Sequence, residues 1–176
     1  NFGATGAEAA LQEMQAIWAD GGRDPTALKS NLFFLGAVLT GDDARDTEKL
    51  MAEAAPLTAV MFHNLADEVG AMGGKNLPTG PLSNLVAEYL KVHDQYAPSD
   101  AKYLSNHRGH LMFVRPDEKH LSPELVRNTT MSGTIDELVE TLSELKRAGY
   151  NEVTIQLVHG HETALEEWAE VFKRIQ

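Results

Sequence analysis

Two short apolar runs in a chain otherwise patterned for helix decide what this sequence can become. Leu28 to Thr40 is nearly continuously apolar, lies between turn formers, and is too short and too interrupted at Gly36 for a helix. Val153 to Val158 is a second apolar run, rich in β-branched residues. Both have the pattern of fully buried parallel strands, falling near residues 30–39 and 152–158 among about six helical segments. Two such strands do not make a stable parallel sheet, which needs cover on both edges and both faces. Either the helices build a core of their own or other strands complete the sheet.

The helical segments announce themselves by their caps. Thr5-Gly6-Ala7-Glu8 has the capping-box form, placing a helix start near Gly6, and Leu11, Met14, Ile17 and Trp18 mark one buried face up to the stop at Asp20-Gly21-Gly22. Asp42 and Asp43 open a helix with Leu50, Met51 and Ala54 on its apolar stripe, and Pro56 starts another through Val60, Met61 and Leu65. Residues 70–81 concentrate Gly and Pro and read as a mobile loop, followed by a helix near 82–96 with Leu82, Leu85, Val86, Tyr89 and Leu90 on one side. Residues 97–132 are irregular, with a short helix led by Pro123. Thr134 and Glu137 form a second capping box for a helix ending at Ala148-Gly149, and the last helix should carry Leu165, Trp168, Ala169 and Phe172 on its inner side. Helix, strand and helix in so few residues is a parallel α/β unit.

Composition removes several function classes. With 176 residues, 43% of them hydrophobic, the chain can bury one core. It has no cysteine, so disulfides, thiolate metal sites and cysteine nucleophiles are excluded, which suits a cytoplasmic protein. The formal charge of -11 and the scattered basic residues argue against nucleic acid as a partner. No apolar stretch reaches the length of a membrane span, so no membrane partner is expected. The chain opens on Asn1 and a loop, which reads as sequence continuing upstream.

The terminal block GTIDELVETLSELKRAGYNEVTIQLVHGHETALEEWAEVF, residues 133–172, resembles the closing segment of luciferase-like monooxygenases. That family includes methylenetetrahydromethanopterin reductases and deazaflavin-dependent dehydrogenases. Ile135 stands where the family has Pro. Upstream, Gly22-Arg23-Asp24-Pro25 before an apolar strand is similar to the turn into the family's seventh strand, and Asn1 to Gly6 to the end of its sixth. YLSNHRGHLMFV, residues 103–114, is similar to a stretch in reductase-like members. The resemblance implies that the chain is the C-terminal part of a (β/α)8 TIM barrel with a helical insertion before the last strand. It also implies a flavin- or deazaflavin-dependent oxidoreductase that uses FMN or a deazaflavin coenzyme on a small-molecule substrate. Activity would need the upstream barrel strands, and the full enzyme would be a homo-oligomer. Monooxygenase and reductase or dehydrogenase chemistry both stay open, as does a non-catalytic helical or oligomerisation module.

By the same resemblance the cofactor phosphate falls on Gly3, Ala4 and Thr5, where small residues and a helix N-terminus suit an anion; an ordinary helix cap would need the same residues. His107, Arg108 and His110 cluster around Gly109 and could hold a carboxylate, phosphate or ring carbonyl, or tie an irregular loop to acidic helices. His159 and His161 follow the last strand at its C-terminal end, where barrel enzymes place their active sites. No carboxylate at helical spacing completes a metal-ligand set with them, so no metal is expected. His63, Asn64 and Lys75 read as surface or packing residues, Met14, Met51, Met61 and Met72 as core filler, and no residue stands out as a lone nucleophile or general base.

Overall fold

The computed structural model describes residues 4–72 and 80–175. In chain order it runs through helix α1 (Ala4–Asp20), a 3-10 turn (Pro25–Ala27), strands β1 (Asn31–Phe34) and β2 (Val38–Leu39), and helices α2 (Asp43–Glu53), α3 (Ala55–Met72), α4 (Pro81–His93), α5 (Tyr103–Asn106) and α6 (Pro123–Thr129). Strand β3 (Gly133–Thr134), helix α7 (Ile135–Ala148), strand β4 (Glu152–Ile155) and helix α8 (Ala164–Arg174) complete it. The fold is mixed α/β, mostly helical, with a few short strands that pair in parallel. No helix among the described residues is long and apolar enough to cross a membrane.

The apolar run expected as one strand divides in two. Phe34 O accepts from Gln156 N at 3.0 Å, whereas Leu35 O accepts from Met131 N at 3.1 Å and Ala37 O from Gly133 N at 3.1 Å. β1 therefore pairs with β4 and β2 with β3. Gly36 makes the exchange of partners possible: a Cβ there would lie 1.7 Å from Met131 O, inside the backbone that pairs alongside it.

Full burial holds for residues 34–39, which include β2, but not for the β1–β4 pair. Asn31 is paired with Glu152 and Phe33 with Thr154, which puts all four on one face, and that face is exposed. Leu32, Phe34, Val153 and Ile155 lie on the other face, packed into a core with Leu138, Leu142 and Leu145 of α7 and Trp168 and Val171 of α8. Helices cover one side of the pair among the described residues, so alternation replaces the continuous burial expected of an enclosed strand.

Local signals hold well for α7. Thr134 Oγ1 accepts from Glu137 N, the Glu137 carboxylate accepts from Thr134 N, and Gly149 ends the helix in the left-handed conformation. The inner face of α8 is a correction. Ala164, Trp168 and Val171 are buried, while Leu165, Ala169 and Phe172 face outward, because the helix docks through Trp168 against Phe34. Among the described side chains of α1, Ala7 and Leu11 enter the core, anchored by Tyr150, whose hydroxyl donates to Ala7 O at 2.8 Å; Met14 and Ile17 are exposed, so Met14 is not core filler. α1 also begins at Ala4, which puts Thr5 inside its first turn and not at the cap.

The helices do build a core of their own. Phe62 and Ala66 of α3, Val86 and Tyr89 of α4, and Leu121 form one cluster away from the strands, whereas Leu50 and Ala54 of α2 and Val126 of α6 pack with Ala37 and Leu39 of the strand segment. The boundaries expected for the loop at 70–81 contract. Residues 70–72 continue α3 and Pro81 opens α4, while residues 73–79 lie outside the described residues. The stretch 97–132 is irregular apart from the short α5 and the Pro123-led α6, which Ser122 caps by accepting from Leu125 N at 3.1 Å.

Candidate functional site

Parallel pairing makes β1 and β4 end on the same side, and the chain leaves them at Leu35 and Gln156. Leu35 and Val158 meet Leu57 of α3 in a buried cluster, and Leu111 packs on it. The loop that carries His107, Arg108 and His110 is therefore held at the C-terminal ends of the paired strands. Its own geometry is tight. Gly109 has φ 79°, the Phe113 ring occupies the space where its Cβ would be, and Gly109 O accepts from Met112 N at 2.8 Å. Leu111 adopts φ 58°, a left-handed conformation that costs a branched L-residue about 1 kcal/mol, offset by its apolar contact. Such strain is characteristic of ligand clamps and active-site loops.

Beneath this loop lies a charged network that the sequence did not reveal. Arg115 is 2% exposed. Its guanidinium donates to Tyr89 Oη (3.1 Å), Tyr96 Oη (2.8 Å), Asp117 Oδ1 (3.2 Å) and the carbonyls of Asn106 and Arg108, and pairs with Glu118 at 3.0 Å. Burial opposes its charge, but Glu118 and the two tyrosines more than restore it, so the guanidinium stays protonated. Burial raises the Tyr89 hydroxyl above its ordinary range, keeping it neutral.

His63 of α3, 2% exposed, donates from Nε2 to Glu118 Oε1 at 2.5 Å. Asn106 donates to Asp67 Oδ1 and to His63 O, both at 3.0 Å, and accepts from Tyr89 Oη at 2.7 Å. His107 donates from Nε2 to Asp67 Oδ2 at 2.6 Å, and its Nδ1 sits 3.1 Å from Nδ1 of His110. Burial, then the neighbouring His107 and His63, hold His110 below the usual imidazole range. His120 is pushed down to about 4 by burial against the Phe62 and Tyr89 rings.

A second group stands beyond β4. His159 is exposed, with Nδ1 3.4 Å from Glu162 Oε1, and His161 Nδ1 lies 3.8 Å from Glu53 Oε1. Burial pushes the Glu53 carboxyl up to about 7; Lys49 counteracts this and Glu167, itself paired with Lys49, adds to it. Its Oε2 has no hydrogen-bond partner among the described residues. A carboxyl that titrates near neutrality can both give and take a proton, which is what general acid–base chemistry needs.

Of the residues singled out from sequence, His107 and His110 come together, joined by His63, which reads in isolation as a packing residue. Arg108 is exposed and contributes its backbone carbonyl to Arg115. His159 and His161 turn to acidic partners instead. Gly3 lies outside the described residues, and Ala4 and Thr5 occupy the first turn of α1. Asp67, Arg115, Glu118 and Glu53 went unnoticed. The one signal for them is the charged run Arg115-Pro116-Asp117-Glu118 directly after the apolar Leu111 to Val114. No protein-family model, curated protein or solved structure matches this chain.

Proposed function

We propose that the chain is the C-terminal part of a luciferase-like, flavin- or deazaflavin-dependent oxidoreductase, with β1 and β4 as the seventh and eighth strands of a (β/α)8 barrel. The observation that carries this reading is the placement of the His107–Leu111 loop over the C-terminal ends of two adjacent parallel strands. Barrel enzymes build their active sites at that end. A second support is the alternation in the pair: Asn31, Phe33, Glu152 and Thr154 present a polar and aromatic face that further strands would enclose. Asn31 Nδ2 already donates to Thr154 Oγ1 at 3.0 Å across that face.

The residues at the strand ends are of the kinds that a planar heteroaromatic ring would use. Leu111 would offer an apolar contact, His161 a hydrogen bond at its edge, and Glu53 a buried carboxyl with an unpartnered oxygen among the described residues. By the resemblance, Gly3, Ala4 and Thr5 would hold the cofactor phosphate. FMN or deazaflavin supplies the hydride or oxygen chemistry when bound. The chain's own part is to orient the ring against a small-molecule substrate and to exclude water, in an enzyme that assembles as a homo-oligomer.

The test is a titration of the protein, expressed with its upstream sequence, with FMN and with a deazaflavin coenzyme, followed by absorbance and fluorescence. Saturable binding of either, one per chain, is expected. Binding of neither overturns the reading. The cluster that α3 and α4 build with Leu121, apart from the strands, favours a second reading, a helical module without catalysis. A chain that melts cooperatively alone and binds neither cofactor would favour that module.

A further inference from the structure

His63, His107 and His110 come from two separate parts of the chain, α3 and the loop after α5, and each brings a ring nitrogen within 4.8 Å of the other two. We propose that these three imidazoles bind one divalent transition-metal ion of the zinc class, clipping the 107–113 loop to α3 with one coordination position left open at the loop surface. This site stands independently of the cofactor reading.

Tautomers provide the first support. A metal-ligating imidazole characteristically donates its other N–H to a carboxylate, which fixes the ring and makes the ligating nitrogen more basic. Two of the three rings are arranged in this way. His107 Nε2 is 2.6 Å from Asp67 Oδ2, and His63 Nε2 is 2.5 Å from Glu118 Oε1. Both Nδ1 atoms are thereby left with lone pairs. His63 Nδ1 is buried and has no hydrogen-bond partner among the described residues, on a residue 2% exposed. An imidazole nitrogen in that position is costly unless something accepts its lone pair.

Spacing provides the second. With zinc–nitrogen bonds near 2.0–2.1 Å, two nitrogens of a tetrahedral site lie about 3.3 Å apart. His107 Nδ1 and His110 Nδ1 are separated by 3.1 Å and share a hydrogen bond that a bound ion would replace. The wider separations, up to 4.8 Å, mean that an ion would draw the loop toward His63. That loop is the one bent through the left-handed residues Gly109 and Leu111.

Charge provides the third. Asp67 and Glu118 pair with the imidazoles, Asp117 joins the same network through Arg115, and Arg115 is the one cation that contacts the imidazoles in the network described above. Arg115 approaches His63 at Nε2, 3.3 Å away, the edge opposite the free Nδ1. The carboxylates therefore remain in excess, which a divalent cation would balance.

The experiment is a competition titration of the full chain with Zn²⁺ against a chromophoric chelator, and with Co²⁺ followed by visible absorption. One ion per chain is expected, with intense cobalt d–d bands of a four-coordinate site. His110→Ala, at an exposed position, and His107→Ala should abolish stoichiometric binding while the far-ultraviolet circular dichroism stays that of the parent. Asp67→Asn, which spares all three ligands, should weaken binding about 10- to 100-fold. The double variant H159A/H161A should bind as the parent does. The proposal is overturned if the parent binds no ion stoichiometrically, if H110A and H107A retain binding, or if binding disappears with H159A/H161A. Cofactor binding without metal binding would overturn this site and leave the oxidoreductase reading intact.

Discussion

Replacing Glu53 by Gln should make the protein more stable at neutral and alkaline pH and should flatten its stability profile. In an unfolded chain this carboxyl titrates near 4.5, and in the folded protein burial, modulated by Lys49 and Glu167, pushes it up to about 7. At about 1.4 kcal/mol per pH unit, keeping the buried charge costs about 3 kcal/mol once the group is ionised. Below pH 4.5 the carboxyl is protonated in both states and contributes nothing. Between 4.5 and 7 the folded state binds more protons than the unfolded state, so stability falls as pH rises, and above 7 the whole penalty is present. Urea unfolding of parent and Glu53→Gln at pH 4.5 and pH 8 isolates the effect, because the other titrations are common to both proteins. The difference between them should shift by about 3 kcal/mol in favour of the variant from the acidic to the alkaline condition. Parallel profiles would refute a raised Glu53 and, with it, the acid–base capacity assigned to the end of β4.

Other perturbations follow from single contacts. Gly36→Ala would put a methyl 1.7 Å from Met131 O, against backbone that cannot move aside like a side chain, so this variant should fail to fold, read by loss of cooperative melting. Arg115→Ala leaves Glu118 buried without its cation and should cost about 3–5 kcal/mol in chemical denaturation. Thr134→Ala removes half of the α7 capping box and should cost about 1 kcal/mol, with the far-ultraviolet signal of the folded state unchanged.

What was legible in the sequence is what neighbouring residues decide. Thr134 with Glu137, Asp42 and Pro123 act within three residues of themselves, so these helix starts are readable and stand in the structure. The faces of α1 and α8 depend instead on how each helix docks. Periodicity offers Leu165 and Phe172 as readily as Ala164 and Val171, and Trp168 against Phe34 decides between them. The division of the first strand follows from Met131, a residue far along the chain whose carbonyl requires Gly36. The buried network was the least legible part. His63 and Glu118 are 55 positions apart, and His107 and Asp67 are 40 apart, so neither pair leaves any pattern in local sequence. Composition suggests that Arg115 and Glu118 belong at the surface; only the fold shows each satisfying the other.

Hydrogen exchange of the protein with its upstream sequence, measured with and without FMN or a deazaflavin, tests most directly whether the strand ends form a cofactor site. Bound cofactor should slow exchange at the amides of residues 107–114 and 156–161, with little change along α4 and α6. A cofactor that binds while exchange at 107–114 and 156–161 stays the same would contradict the account.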